Sequence, residues 1–188
     1  MFNLQLLTEQ NKKTEIELSL KKGADVNQQN SNGQTTLYIA CFLNRVEIVR
    51  ILLQTNNIHA NLQNIYEYTP FLIACVCNKY QSVLVMIQDA RVNVHWTNKN
   101  GWSPLICACY RKNVEIVKLL LSFGRGVSLY KKTTRDFLGY KAGLTALDIA
   151  KKKNKTDVVQ VLEEYIHNPI EMQKTLRKQL KVKGKTIK

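Results

Sequence analysis

Gly101-Trp-Ser-Pro-Leu105, then Cys107-Ala-Cys109, then Val114-Glu-Ile-Val-Lys-Leu-Leu-Leu121, is the stretch that decides the fold, because the chain repeats it. Three further segments align with its start: Gly33-Gln-Thr-Thr-Leu37, Glu67-Tyr-Thr-Pro-Phe71 and Gly143-Leu-Thr-Ala-Leu147. Their hydroxyl residues Thr35, Thr69, Ser103 and Thr145 step by 34, 34 and 42 residues. A small apolar stretch follows each, as in Ile39-Ala-Cys41, Ile73-Ala-Cys75 and Ile149-Ala150. A second apolar block comes next: Val46 to Leu53, Val83 to Ile87, Val114 to Leu121 and Val158 to Leu162. Val49, Val83, Val117 and Val159 share one column of the alignment, and Leu52, Met86, Leu120 and Leu162 share another. A period of this length is the mark of a repeat array.

Each unit reads as two short antiparallel helices. Thr or Ser accepts a hydrogen bond from the free N–H groups of the first helix. Pro70 and Pro104 sit at the first helical position, where a missing N–H costs nothing. Asn44, Asn78, Lys112 and Asn154 mark the inter-helix turns, and Gly23 and Gly124 end second helices. One such pair cannot bury its own apolar face, so the pairs must stack into a solenoid.

The pattern Gly-x-Thr-Pro-Leu, Ala-Cys, Val-Glu-Ile-Val-x-x-Leu-Leu, with Gly23-Ala-Asp-Val-Asn27 as a unit ending, resembles the ankyrin repeat family. The resemblance covers residues 3–165 and implies an all-α solenoid of about five helix–turn–helix units joined by β-hairpin-like finger loops. The units are expected at 3–29, 30–62, 63–94, 95–129 and 130–165, the first a degenerate cap. Residues 166–188 form a basic C-terminal helix or tail. Two departures stand out. The family's usual His is replaced by Tyr38, Leu72, Ile106 and Asp148, which puts its side-chain network in doubt. Glu67 stands where the finger turn takes Gly, so that finger is expected to be distorted.

Composition narrows the function. The chain has 188 residues, 45% apolar and 22% charged, which rules out wholesale disorder. No apolar run reaches the roughly 20 residues of a membrane-spanning helix. Met1 to Lys13 has no basic start followed by an apolar core, so a secretory signal is not expected. Five Cys, an odd number, read as reduced thiols in a cytoplasmic or nuclear protein. The net charge of +14 is uneven: 8 Lys/Arg against 7 Asp/Glu in residues 1–94, 13 against 6 in 95–165, and 7 against 1 in 166–188. Such asymmetry admits an acidic protein, nucleic acid or an anionic membrane as partner, and also plain solubility.

The last interval exceeds the period by eight residues, and the excess falls between Val127 and Gly143. Insertions in repeat proteins map to loops. This one carries Lys131, Lys132, Arg135 and Lys141 together with Tyr130, Phe137 and Tyr140. Basic residues interleaved with aromatics suit bases, phosphates or an acidic peptide. The same residues also suit a lengthened hairpin that packs its own aromatics.

The family resemblance places ligands on a concave groove of first helices and finger tips. It maps Gln34, Tyr68, Trp102 and Leu144 before each hydroxyl residue, and Phe42, Val76, Tyr110 and Lys152 further along the first helices. Ile39, Ile73, Cys107 and Ile149 lie between them. Core packing does not obviously demand Phe42, Tyr68, Trp102 or Tyr110. Exposed aromatics of this kind anchor interfaces. Tyr66, Trp96 and Lys99 are the finger-tip candidates.

Catalytic grammar is absent. His59, His95 and His167 pair with no Cys or Ser, and no phosphate loop, paired-carboxylate motif or nucleophile elbow is present. Cys41, Cys75 and Cys109 occupy one small-residue core column, too far apart for disulfides. Cys75/Cys77 and Cys107/Cys109 are two apart on helices and cannot easily share a metal. Cys77 and Cys107 are expected to be exposed. The expectation is a non-catalytic, cofactor-free monomer that binds a segment of another protein. The alternative is binding of nucleic acid or membrane through residues 130–141 and the tail. In that tail Asn168-Pro-Ile-Glu171 is a helix start, Met172, Leu176 and Leu180 form an apolar stripe, and residues beyond Leu180 are expected to fray. A helix covering the open side of the last unit is the simplest role for it.

Overall fold

The computed structural model describes residues 3–125 and 127–180; the end expected to fray, residues 181–188, lies outside them. The chain divides into two compact units, Met1–Lys99 and Asn100–Lys188. The first holds α1 (Leu4–Glu9), α2 (Lys13–Lys21), α3 (Thr36–Phe42), α4 (Val46–Gln54), α5 (Pro70–Val76) and α6 (Tyr80–Ile87). The second holds α7 (Pro104–Tyr110), α8 (Val114–Phe123), α9 (Ala146–Lys152), α10 (Thr156–His167) and α11 (Pro169–Gln179). No helix among the described residues is long and apolar enough to cross a membrane.

The repeat columns set the packing. In the first unit the leading helices α1, α3 and α5 lie side by side, as do the trailing helices α2, α4 and α6. In the second, α7 packs on α9 and α8 on α10. Thr35, Thr69, Ser103 and Thr145 each accept a hydrogen bond from the backbone N–H three residues on, as N-caps. At the inter-helix turns Asn11, Asn44, Asn78, Lys112 and Asn154 hold φ between 52° and 64°. Asn tolerates this left-handed region better than other non-glycine residues, which explains its recurrence there.

Ile16, Val49, Val83 and Val117 are all 0% exposed and form the spine of their units. Val159, the fourth valine of the expected column, is only half-buried. It lines an open groove of about 380 Å³ with Thr156, Gln160, Glu163, Glu164 and His167. Among the described residues no further helix pair is laid over this face, so the terminal unit lacks the cover that buries the other valines.

Helix α11 does not supply that cover. It packs against α8 and α10. Leu176 is 0% exposed there, Arg177 donates to the carbonyls of Ser122 (2.7 Å) and Phe123 (3.3 Å), and Gln173 donates to that of Leu121 (3.3 Å). A guanidinium at a helix C-terminus satisfies orphan carbonyls and opposes the helix dipole. Arg91 plays the same part in the first unit, donating to the carbonyls of Leu53 and Thr55 behind α4.

Candidate partner-binding site

The fingers that precede α3 and α5 share one hydrogen-bond scheme. Asn30 N–H donates to the Gln34 carbonyl and Gly33 N–H returns to the Asn30 carbonyl. The Asn30 side-chain oxygen accepts from the N–H groups of Asn32 and Gln34. Asn64 repeats the scheme with Tyr68, Glu67 and Tyr66. Successive fingers are joined by Ile65 N–H to the Asn32 carbonyl (3.1 Å). Glu67 has φ 63°, beside 70° at the matching Gly33. The expected distortion is therefore absent: Glu67 takes the glycine conformation and carries its strain.

The missing His network is replaced. Tyr38 is 6% exposed, and its hydroxyl accepts from the Asn64 side-chain amide at 3.3 Å. Burial, then the neighbouring Cys77 and Tyr68, push its pKa up to about 12. In the last repeat Asp148 instead closes a capping box with Thr145. The Thr145 hydroxyl and N–H hold the Asp148 carboxyl below the usual range.

The finger before α9 keeps the scheme around a longer tip. Thr133 takes the place of Asn30 and Asn64: its N–H donates to the Leu144 carbonyl (2.9 Å), Gly143 N–H returns to the Thr133 carbonyl (2.8 Å), and Leu144 N–H donates to its hydroxyl (3.1 Å). Thr134 N–H joins it to the Asn100 carbonyl at 2.9 Å, as Ile65 does to Asn32. Asn30 and Gln34 are four residues apart, whereas Thr133 and Leu144 are eleven apart. Seven of the eight extra residues thus sit in the tip.

Those residues fold back on themselves. Phe137 and Tyr140 exchange two backbone hydrogen bonds of 2.9 Å around Leu138 (φ 51°) and Gly139 (φ 79°). Positive φ at both central residues is the tight hairpin turn whose twist matches paired strands. Asp136 braces its base by accepting from Ala142 N–H (2.9 Å) and pairing with Lys141 (2.8 Å). The Lys141 ammonium and that N–H hold the Asp136 carboxyl below its ordinary pKa.

The turn returns both aromatics to the body. Trp102 meets Tyr110 at 5.1 Å, Phe137 at 5.5 Å and Tyr140 at 6.4 Å, each edge to face, and Tyr110 meets Tyr140 at 6.0 Å. Edge-to-face pairs are favourable beyond the area they bury. Cations finish the cluster. Lys153 lies 4.3 Å from the centre of the Tyr110 ring and 5.9 Å from that of Tyr140, and Arg111 lies 5.9 Å from Tyr110.

The expected binding residues therefore separate into three groups. Trp102 is 3% exposed and is a packing residue under the long finger, not a groove aromatic. Nothing in its own repeat foretold this, because the rings that cover it come from a stretch without a periodic counterpart. Tyr110, Phe137 and Tyr140 are half-buried around it, and Tyr68 is half-buried on the second finger. Phe42 (45%), Tyr66 (52%) and Trp96 (39%) stand in solvent in the first unit, with Lys99 5.4 Å from the Tyr66 ring centre. Lys131, Lys132 and Arg135 are exposed on the long finger. Cys107 is buried at 2%, contrary to expectation, in a helix whose residues from Pro104 to Cys109 are all buried, while Cys77 is half-buried. Lys153 and Arg111 were not singled out in the sequence. Their signal was the 42-residue interval that puts them at one position of adjoining repeats.

The family model for ankyrin repeats (three copies) matches residues 4–95 and again residues 85–173. The chain belongs to the ankyrin repeat family. Members of this family are in general non-catalytic protein–protein interaction modules, built as the all-helical repeat stack described above. Among curated proteins none matches the chain.

Proposed function

We propose that this chain holds a segment of another protein on the leading-helix and finger-loop surface of its first unit, as a monomer in the cytoplasm or nucleus. The observation that carries the reading is the exposure of Phe42, Tyr66 and Trp96 on a scaffold of buried columns. Aromatics in solvent on rigid elements bury much area at little entropic cost and make strong anchors. The neighbouring Ile65 is 58% exposed and Lys99 sits over Tyr66, so the tip offers an apolar patch with a cationic edge. Such a patch suits an amphipathic or acidic segment.

The test is panning of a displayed peptide library on the full chain. Peptides selected by the wild-type chain are expected to lose about tenfold or more in affinity on Phe42→Ala/Tyr66→Ala, the effect of removing one or two anchors. Selected peptides that bind the double variant unchanged contradict the reading.

A further inference from the structure

We infer that the long finger of the second unit builds a receptor for an acidic stretch of polypeptide, centred on Arg111 and Lys153. This deepens the reading above, since it takes the partner to be a protein and assigns its chemistry. Three observations carry it.

The first is that four of the six carboxylates in residues 95–165 are already engaged. Asp136 pairs with Lys141, Asp148 closes its capping box, Glu163 pairs with Lys151, and Glu115 pairs with Lys118. Among the described residues, Arg111, Lys152, Lys153 and Arg135 have no ion pair of their own, in a region of net charge +7 by the count of residues 95–165.

The second is that the two central cations are held in place. Both lie against the Tyr110 ring, and Lys153 also against Tyr140. The rings are fixed in turn by Trp102 and by the tight turn at Leu138–Gly139. A cation held over an aromatic face keeps its charge while losing side-chain freedom in advance. Two carboxylates along one extended chain can reach both.

The third separates peptide from nucleic acid. Single-stranded nucleic acid is held largely by bases stacking on open aromatic faces. Here Trp102 is buried, and the half-buried Tyr110 ring already carries Lys153 at 4.3 Å and Arg111 at 5.9 Å from its centre. The cations remain open while these stacking platforms are closed, and Tyr130, 72% exposed, offers one ring where successive bases need several.

The probe is a fluorescent oligoglutamate of about ten residues, long enough to span neighbouring repeats, titrated with the full chain by anisotropy. Parallel titrations use oligouridine of similar length and vesicles of phosphatidylserine in phosphatidylcholine. Oligoglutamate is expected to bind best, and Arg111→Gln/Lys153→Gln is expected to weaken it about tenfold or more, two charge-assisted contacts being lost. Lys153→Arg keeps a cation on the ring and is expected to bind as the wild type. Phe42→Ala/Tyr66→Ala is expected to leave oligoglutamate binding unchanged, so that failure of the first-unit reading is distinguishable from failure of this one. Undiminished binding by the doubly neutralised variant, with an unaltered circular dichroism spectrum, overturns the inference. So does tighter binding of oligouridine or of the vesicles that the same variant abolishes.

Discussion

Trp102→Ala is expected to destabilise the chain by about 3–5 kcal/mol, the usual range for removing a fully packed large aromatic. Trp102 is 3% exposed and gives three edge-to-face contacts, to Tyr110, Phe137 and Tyr140. Two of these partners come from the seven-residue extension of the finger, so the void left behind cannot close without that finger moving. Lys153 and Arg111 rest on the same rings and are expected to lose their positions with it. Urea unfolding followed by circular dichroism measures the loss. A midpoint close to that of the wild type means that the finger does not rest on Trp102.

Gly101→Ala is expected to cost about 2–4 kcal/mol, the sum of backbone strain and overpacking. Gly101 has φ 76°, and a Cβ there stands 2.6 Å from the Thr134 backbone nitrogen. That nitrogen donates to the Asn100 carbonyl, so the substitution also breaks the link between neighbouring fingers. The reciprocal change at the second finger has the opposite sign. Glu67→Gly relieves φ 63° at a residue with no packed side chain and is expected to stabilise by about 1 kcal/mol. Thermal unfolding of both variants checks the pair. Equal melting temperatures contradict the geometry of the finger turns.

The repeat was legible because its signals are local and recur. A hydroxyl residue caps its own helix, an Asn turns the chain at its own hairpin, and the 34-residue step placed both in every unit. Tyr38 shows where that legibility ends. Its position was known, but the Asn64 amide that replaces the lost His network lies in the next finger, and only coordinates bring them together. Val159 matched its column in sequence but not in burial, since burial depends on a following layer rather than on the residue. The side-chain partners of α11 were out of reach too: Leu176 belongs to a visible apolar stripe, yet nothing periodic says which helices that stripe meets. Trp102 was misplaced for the same reason. Its repeat position pointed to the groove, and a non-repeating insertion covered it.

The long finger itself was half legible. Its charges and aromatics were evident, and both an open and a self-packed form suited them. Leu138-Gly139 decides between the forms, because a Gly in a two-residue turn lets Phe137 and Tyr140 pair and point back. Phe137 and Tyr140 then serve the interior and the cations the surface, with Tyr130 alone of the insertion's aromatics left 72% exposed, which reverses the picture of a stacking loop.

The sequence holds two tryptophans, Trp96 and Trp102, so Trp96→Phe leaves Trp102 as the single indole reporter of the finger. A finger folded back over it gives blue-shifted emission and weak quenching by iodide, both lost on replacing Phe137 and Tyr140 with Ala. Red-shifted emission freely quenched by iodide in the Trp96→Phe chain contradicts a folded-back finger and, with it, the placement of Arg111 and Lys153 as a receptor.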